Sequence, residues 1–234
     1  MNSEQKVFDN LSRIKDSIRL KQDSCGLKGP VTLVGVTKTQ TTETIITAIN
    51  AGLTNIGENR IQEASAKFKK IKFCNNITKH MIGHLQSNKV KKAIEIFDRI
   101  DSIDSKKLAN KINIEATAQK KTIPTLLEIN TSGEKEKYGF SVNELDEILT
   151  CFENNNLIIE GLMTVGPHTK NKEKIRKAFS SLRHLLDKIN KQLPTGHTKL
   201  STLSMGMSGD YLIGVEEGST MVRIGTAIFG PRQI

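Results

Sequence analysis

The sequence predicts an α/β fold, a (β/α)8 TIM barrel with one extra N-terminal helix, and three observations carry that reading. Eight short apolar segments, rich in β-branched residues, alternate with segments of helical periodicity, which argues for parallel strands joined by crossover helices. A length of 234 residues suits one barrel. Two glycine-rich segments follow the last two predicted strands, where barrels build ligand sites. A doubly wound open sheet is the alternative for the same alternation. No linker, low-complexity run or internal repeat divides the chain, so residues 1–234 read as a single domain.

Each element has its own signal. Val7, Phe8, Leu11, Ile14 and Ile18 mark one face of the opening helix. Pro30 punctuates, and residues 31–37 (VTLVGVT) form the first buried strand. Ile45, Ile46 and Ile49 suggest a helix, followed by a short strand at 54–56 that ends in Gly57. Ile61, Ala64, Phe68 and Ile71 give the next helical stripe. A third strand is expected at 80–82 with a short helix near 89–96, and a fourth at 99–103 with a helix over 105–118 built on Leu108 and Ile112.

The second half repeats the pattern. Residues 124–129 (PTLLEI) read as a buried strand. Ser141 and Glu144 form a capping box before a helix carrying Leu145, Ile148, Leu149 and Phe152. A strand at 157–163 precedes the Gly166-Pro167 loop and the longest amphipathic helix, with Ile175, Phe179, Leu182, Leu185, Leu186 and Ile189 on one face. Strands at 200–204 and 221–224 flank a helix near 210–216.

Composition removes several classes. The formal net charge is +10, with 35 basic and 25 acidic residues, which raises the prospect of a nucleic-acid or membrane surface. Nearly all of the excess lies in residues 60–121, with 15 basic and 6 acidic side chains. That band includes Lys67, Lys69, Lys70, Lys72, Lys89, Lys91 and Lys92, and it reads either as a solvated lysine face or as an anion-attracting one. Aromatics make only 4% of the chain and Trp is absent, which speaks against single-strand stacking platforms. No stretch of 18 apolar residues is present, and MNSEQKVF has no basic-then-apolar leader pattern, so a cytoplasmic chain without a membrane span is expected. Cys25, Cys74 and Cys151 are far apart and odd in number, and read as reduced thiols.

Three places hold candidate chemistry. Lys38 follows the most apolar strand of the N-terminal half. At the C-terminal end of a barrel strand it is either partly desolvated, where burial favours the free amine that Schiff-base chemistry needs, or a loop residue with its head in water. The segments 203–210 (LSMGMSGD) and 223–227 (RIGTA) offer glycine backbone and the hydroxyls of Ser208 and Thr226, the composition of a phosphate site. Arg223 is open to three readings: a phosphate ligand, a donor to a pyridine nitrogen as arginine acts with pyridoxal phosphate, or a surface salt bridge. His80 and His84 are four apart without a zincin glutamate, so no metal is expected. Gly161 to Gly166 has Walker spacing, but Pro167 stands in place of the lysine.

Taken with their neighbours, these residues closely resemble the pyridoxal phosphate homeostasis proteins, single-domain relatives of the alanine racemase N-terminal barrel (fold-type III). The resemblance is carried by LVGVTK at 33–38, IGEN at 56–59 with Gln62-Glu63, IGHLQSNK at 82–89, IDS at 103–105, EIN at 128–130, KYGF at 137–140, GLM at 161–163, LSMGMSGD at 203–210 and VRIGTAIFG at 222–230. It implies that Lys38 holds pyridoxal 5′-phosphate covalently as an internal aldimine. It further implies cofactor contacts from Asn59 and from Met205 in the 203–210 motif, phosphate binding by Ser208, Gly209, Gly225 and Thr226, and Arg223 at the pyridine nitrogen. The implied activity is holding and buffering the cofactor, or delivering it to apo-enzymes, without established turnover, by a monomer. Amino-acid racemisation is the rival within the fold. It needs a second base, for which Tyr138 and Lys137 are candidates if they reach the barrel mouth and are not plain loop residues. Nucleic-acid binding is the rival from outside the fold, and is not expected.

Overall fold

The computed structural model describes residues 3–134, 136–193 and 195–231. In chain order the elements are α1 (Ser3–Ser24), β1 (Thr32–Val36), α2 (Thr42–Asn50), β2 (Asn55–Glu58), α3 (Ile61–Lys70), β3 (Thr78–Met81), α4 (Val90–Ile96), β4 (Arg99–Ile103), α5 (Lys106–Ala118) and β5 (Ile123–Asn130). They continue with β6 (Phe140–Ser141), α6 (Leu145–Thr150), β7 (Leu157–Met163), α7 (Lys172–Gln192), β8 (Thr202–Ser204), α8 (Tyr211–Glu216), β9 (Met221–Ile224) and α9 (Thr226–Phe229).

All strand pairings are parallel, and they close. β1 pairs with β2 on one side and β9 on the other, while β4 pairs with β5. The ring β1-β2-β3-β4-β5-β7-β8-β9 is therefore an eight-stranded barrel, and the open-sheet alternative falls. β6 is a two-residue addition beside the end of β5, at Ile129↔Phe140 and Asn130↔Ser141.

Pairing moves several expected boundaries. Gly57 lies inside β2 instead of ending it, paired with Val36 and His80. A Cβ there would come within 2.8 Å of Ile82 and 3.1 Å of Val34, so the lumen itself requires glycine. The Ser141–Glu144 box closes by half. Glu144 accepts the Ser141 N–H at 2.8 Å, but the Ser141 hydroxyl accepts from Asn143. Ser141 is held extended in β6, three residues before the Glu144 N-cap position, too far from the helix start to cap it. Ser105, by contrast, caps α5 by accepting from the Leu108 N–H.

The outer apolar layer packs the strands against the helices, with Leu11, Ile45, Ile56, Ile94, Ile112, Phe179 and Leu182 fully buried. Val34, Leu126, Met163 and Met221 make a separate apolar plug in the lumen. Near the strand starts the lumen is polar. His80 bonds Asp101 at 2.6 Å and Asn55 at 2.9 Å, and Arg99 bridges Asp101 and Glu160 at 2.7 and 2.8 Å. The barrel floor is thus sealed by a paired polar network, and access is from the C-terminal mouth.

Candidate functional site

Every chemically promising residue from the sequence lies at the C-terminal strand ends. Lys38 stands two residues beyond β1, half-buried. The turn that carries it is well tied. Thr37 donates its N–H to Gly57 O at 3.0 Å, and Gln40 donates back to Thr37 O at 3.0 Å. Asn59 follows β2, beside Gly83, whose added Cβ would approach the Asn59 backbone to 2.7 Å. The Asn59 Oδ1 is buried with no hydrogen-bond partner among the described residues. Such an atom carries a desolvation cost unless a ligand or water donates to it.

Arg223 is not on the surface. It is 4% exposed, so the salt-bridge reading is corrected: β9 turns this side chain into the lumen. Nη1 donates to Ser204 O at 2.8 Å and to Ser204 Oγ at 2.6 Å, while Nη2 donates to Thr164 O at 2.8 Å. Neutral oxygens at the ends of β7 and β8 therefore fix the guanidinium. Burial lowers its pKa, against the raising effect of Glu128, Asp101 and Asp210. A guanidinium so far above neutrality to begin with keeps its proton.

The two glycine-rich loops converge. Ser208 Oγ accepts the N–H groups of Gly225 and Ala227, both at 3.2 Å. One oxygen thus already sits where two amides point, the role a phosphate oxygen plays in such a nest. A Cβ on Gly209 would meet nothing within 4 Å, whereas one on Gly225 would touch Val36 at 3.5 Å, close to the base of the Lys38 turn. Gly209 and Thr226 are exposed at the rim. Met205 stands apart from this group. Its side chain is fully buried in the outer core, its N–H donates to Met221 O, and its carbonyl accepts from Ser219 Oγ at 2.7 Å. These backbone bonds hold the loop.

The motifs at 82–89, 128–130 and 137–140 bring further residues to the mouth. Glu128 lies in the PTLLEIN run of β5, two residues before its end, and is 8% exposed. Burial pushes its carboxyl up to about 7, with Arg223 opposing and Asp104 adding to the rise. His84 bonds Asp104 at 2.7 Å and stacks on Tyr138, rings 3.8 Å apart and 10° from parallel. Tyr138 does reach the mouth, as a lid on that imidazole. Lys137 is tied to Glu134 and to Gly166 O, at 2.8 and 3.0 Å. Lys67, counted from sequence in the basic band, is 9% exposed and bonds Thr37 O, Glu58 and Glu63 under the Lys38 turn.

Comparison with known proteins agrees with this architecture. Residues 10–233 match the family described as alanine racemase, N-terminal domain. A pyridoxal phosphate homeostasis protein of Vibrio alginolyticus is 38% identical over 231 residues, covering 97% of each chain. The structure of PipY from Synechococcus elongatus with PLP bound superposes with a TM-score of 0.84 at 30% identity, covering 96% of this chain and 100% of that one. A protein of unknown function from Bifidobacterium adolescentis superposes at 0.92 with 36% identity, covering 98% of this chain and 97% of that one. By fold, length and sequence, this chain belongs to the pyridoxal phosphate homeostasis proteins of the alanine racemase N-terminal domain family.

Proposed function

We propose that this protein binds pyridoxal 5′-phosphate in the barrel mouth, holds it covalently through Lys38, and buffers or delivers it to apo-enzymes as part of vitamin B6 homeostasis. The observation that carries the reading is the meeting of three unlike groups at one end of the barrel. They are an amine on the β1 turn, a buried guanidinium on β9, and a pair of backbone amides already converging on one oxygen.

The residues fit the group. Ser208, Gly209, Gly225 and Thr226 would hold the phosphate, Arg223 would face the ring nitrogen, and the unpartnered Asn59 Oδ1 would accept from a ring hydroxyl or a water beside it. When bound, the cofactor supplies an electrophilic aldehyde on an electron-withdrawing ring. Lys38 would hold it through its amine, the nucleophile that such an aldehyde condenses with on loss of water. Arg223 can donate a hydrogen bond without surrendering its proton, so at the ring nitrogen it would favour the unprotonated ring, a weak electron sink. A site of this kind holds its aldehyde and does little carbanion chemistry. We place the protein in the cytoplasm as a monomer; no described helix is long and apolar enough to cross a membrane.

The test is a spectrum. Protein loaded with pyridoxal phosphate is expected to show an imine band that borohydride fixes onto Lys38 and that Lys38→Ala lacks. Failure of the wild-type chain to take up the ligand would end the proposal. Incubation with L-amino acids in deuterated water separates carrier from racemase: solvent deuterium at Cα with turnover would favour the latter.

A further inference from the structure

Beneath the Lys38 turn lies a buried ionic cluster that none of the binding roles above uses. Lys67 on α3 commits its ammonium to three oxygens: Thr37 O at 2.7 Å, Glu58 Oε1 at 2.9 Å and Glu63 Oε1 at 2.6 Å. These match its three donors. Each carboxylate then reaches one neighbour of Lys38. Glu58 accepts the Thr37 hydroxyl at 2.8 Å, and Glu63 accepts the Thr39 N–H at 2.6 Å. Thr39 has φ +64°, a left-handed conformation that is costly for a β-branched residue and persists only when its surroundings impose it. The side chains of Lys67 and Glu58 are 11% and 0% exposed.

Stability alone is a poor reason for such a cluster. Buried ion pairs lose much of their attraction to desolvation, and well-packed apolar residues often replace them without loss. The Glu58 Oε2 is buried with no hydrogen-bond partner among the described residues, and burial raises the Glu58 pKa. What the cluster does achieve is geometric. One ammonium ties β2, α3 and both flanks of a single residue to a common point.

We propose that the Glu58–Lys67–Glu63 cluster is a positioning device that fixes the backbone on both sides of Lys38 and so presents its amine to the barrel mouth for condensation with an aldehyde. This rests on the reading given under Proposed function. Glu58, Glu63 and Lys67 are positioning residues, not catalytic ones, because they act through the turn.

The test uses the full chain in two forms, the apolar double variant Glu58→Met/Lys67→Met and the single variant Glu63→Ala. Lys38 reactivity is read in ligand-free protein by trace acetylation and peptide mass spectrometry, with Lys70 as internal reference. Imine formation with pyridoxal 5′-phosphate is followed by stopped-flow absorbance. Pyridoxine 5′-phosphate, which lacks the aldehyde, reports non-covalent affinity. In the double variant, imine formation is expected to slow about tenfold or more, the scale of a small misplacement of a reacting group. Relative labelling of Lys38 is expected to change, with pyridoxine phosphate affinity and melting temperature close to wild type. A folded double variant with wild-type labelling and wild-type imine rate would overturn the proposal. Should the double variant not fold, Glu63→Ala decides alone: a rate about threefold lower supports the device, by the same geometric argument, and an unchanged rate overturns it. If wild-type protein binds the phosphate ligand but forms no imine, the covalent reading fails, while Lys38 labelling still tests the cluster.

Discussion

Glu128 shows what the barrel mouth does to a single side chain. Its carboxyl sits near the end of β5, nearly buried, and is pushed up to about 7 by the loss of water around its charged form. An unfolded glutamate titrates near 4.5. Between those values the native state keeps a proton that the unfolded chain has released, so stability falls as pH rises. Below the unfolded value the contribution is complete, and above the folded value it is gone. The shift corresponds to about 3 kcal/mol. We expect urea unfolding of ligand-free wild-type protein to lose about that much more than Glu128→Gln between pH 4.5 and 7.5. Parallel pH profiles for the two proteins would remove Glu128 as the source. Glu128 also marks a limit of legibility. A lone glutamate in an apolar run gives no sign of facing Arg223 across a lumen, because that meeting depends on barrel closure. The strand-end placement of Lys38 and Arg223 was readable, since strand-end position and glycine-rich neighbours are local signals. Lys67 was misread because charge counting cannot see that one lysine of a helix faces inward while Lys69 and Lys70 face out.

At the level of elements, the ring of helices has an irregular seam. The helix after the last strand, α9, is only four residues long. It cannot cover the outer faces of β9 and β1 by itself. The N-terminal helix fills that place: α1 packs against α2, α8 and α9, and Asn10 donates to Ile228 O at 2.9 Å. Leu11 and Ile14, 1% and 2% exposed, are the buried centre of this contact. Truncation of Leu11 to Ala is therefore expected to cost about 2–5 kcal/mol, the range for a fully buried leucine. A lower urea midpoint with unchanged slope is the readout. A change under 1 kcal/mol would show α1 to be an appendage. Helix periodicity made α1 visible in the sequence, and apolar runs made most strands visible. The β6 pairing was not visible, because two residues carry no period. The extent of β2 was also hidden, because a glycine inside a strand looks like its end until the packed lumen around it is known.

For the whole molecule, the remaining question is what the +10 charge does. The basic excess of residues 60–121 spans α3 to α5, which clothe β2 to β5. Ser208, Gly225 and Ala227 converge at β8 and β9, across the ring from β4. Eight tilted strands at the usual spacing make a barrel roughly 15 Å across, and an outer helix adds roughly 10 Å more. Lysines on the outside of α5 thus stand about three Debye lengths from the phosphate nest at physiological salt, where the screening length is about 8 Å. Attraction over that distance is reduced to a few per cent, so those lysines add little to any anion held at the nest at physiological salt. We therefore expect charge reversal at Lys106, Lys107 and Lys111 to change the association rate of pyridoxal phosphate by less than about twofold at 0.15 M salt. Near 0.01 M salt, where screening reaches about 30 Å, the same triple variant is expected to bind measurably more slowly than wild type. Stopped-flow association at the two salt concentrations checks both halves. A several-fold effect at 0.15 M would place the basic band in the capture path and contradict the geometry. No effect at either concentration would leave Lys106, Lys107 and Lys111 as a solvated lysine face and nothing more.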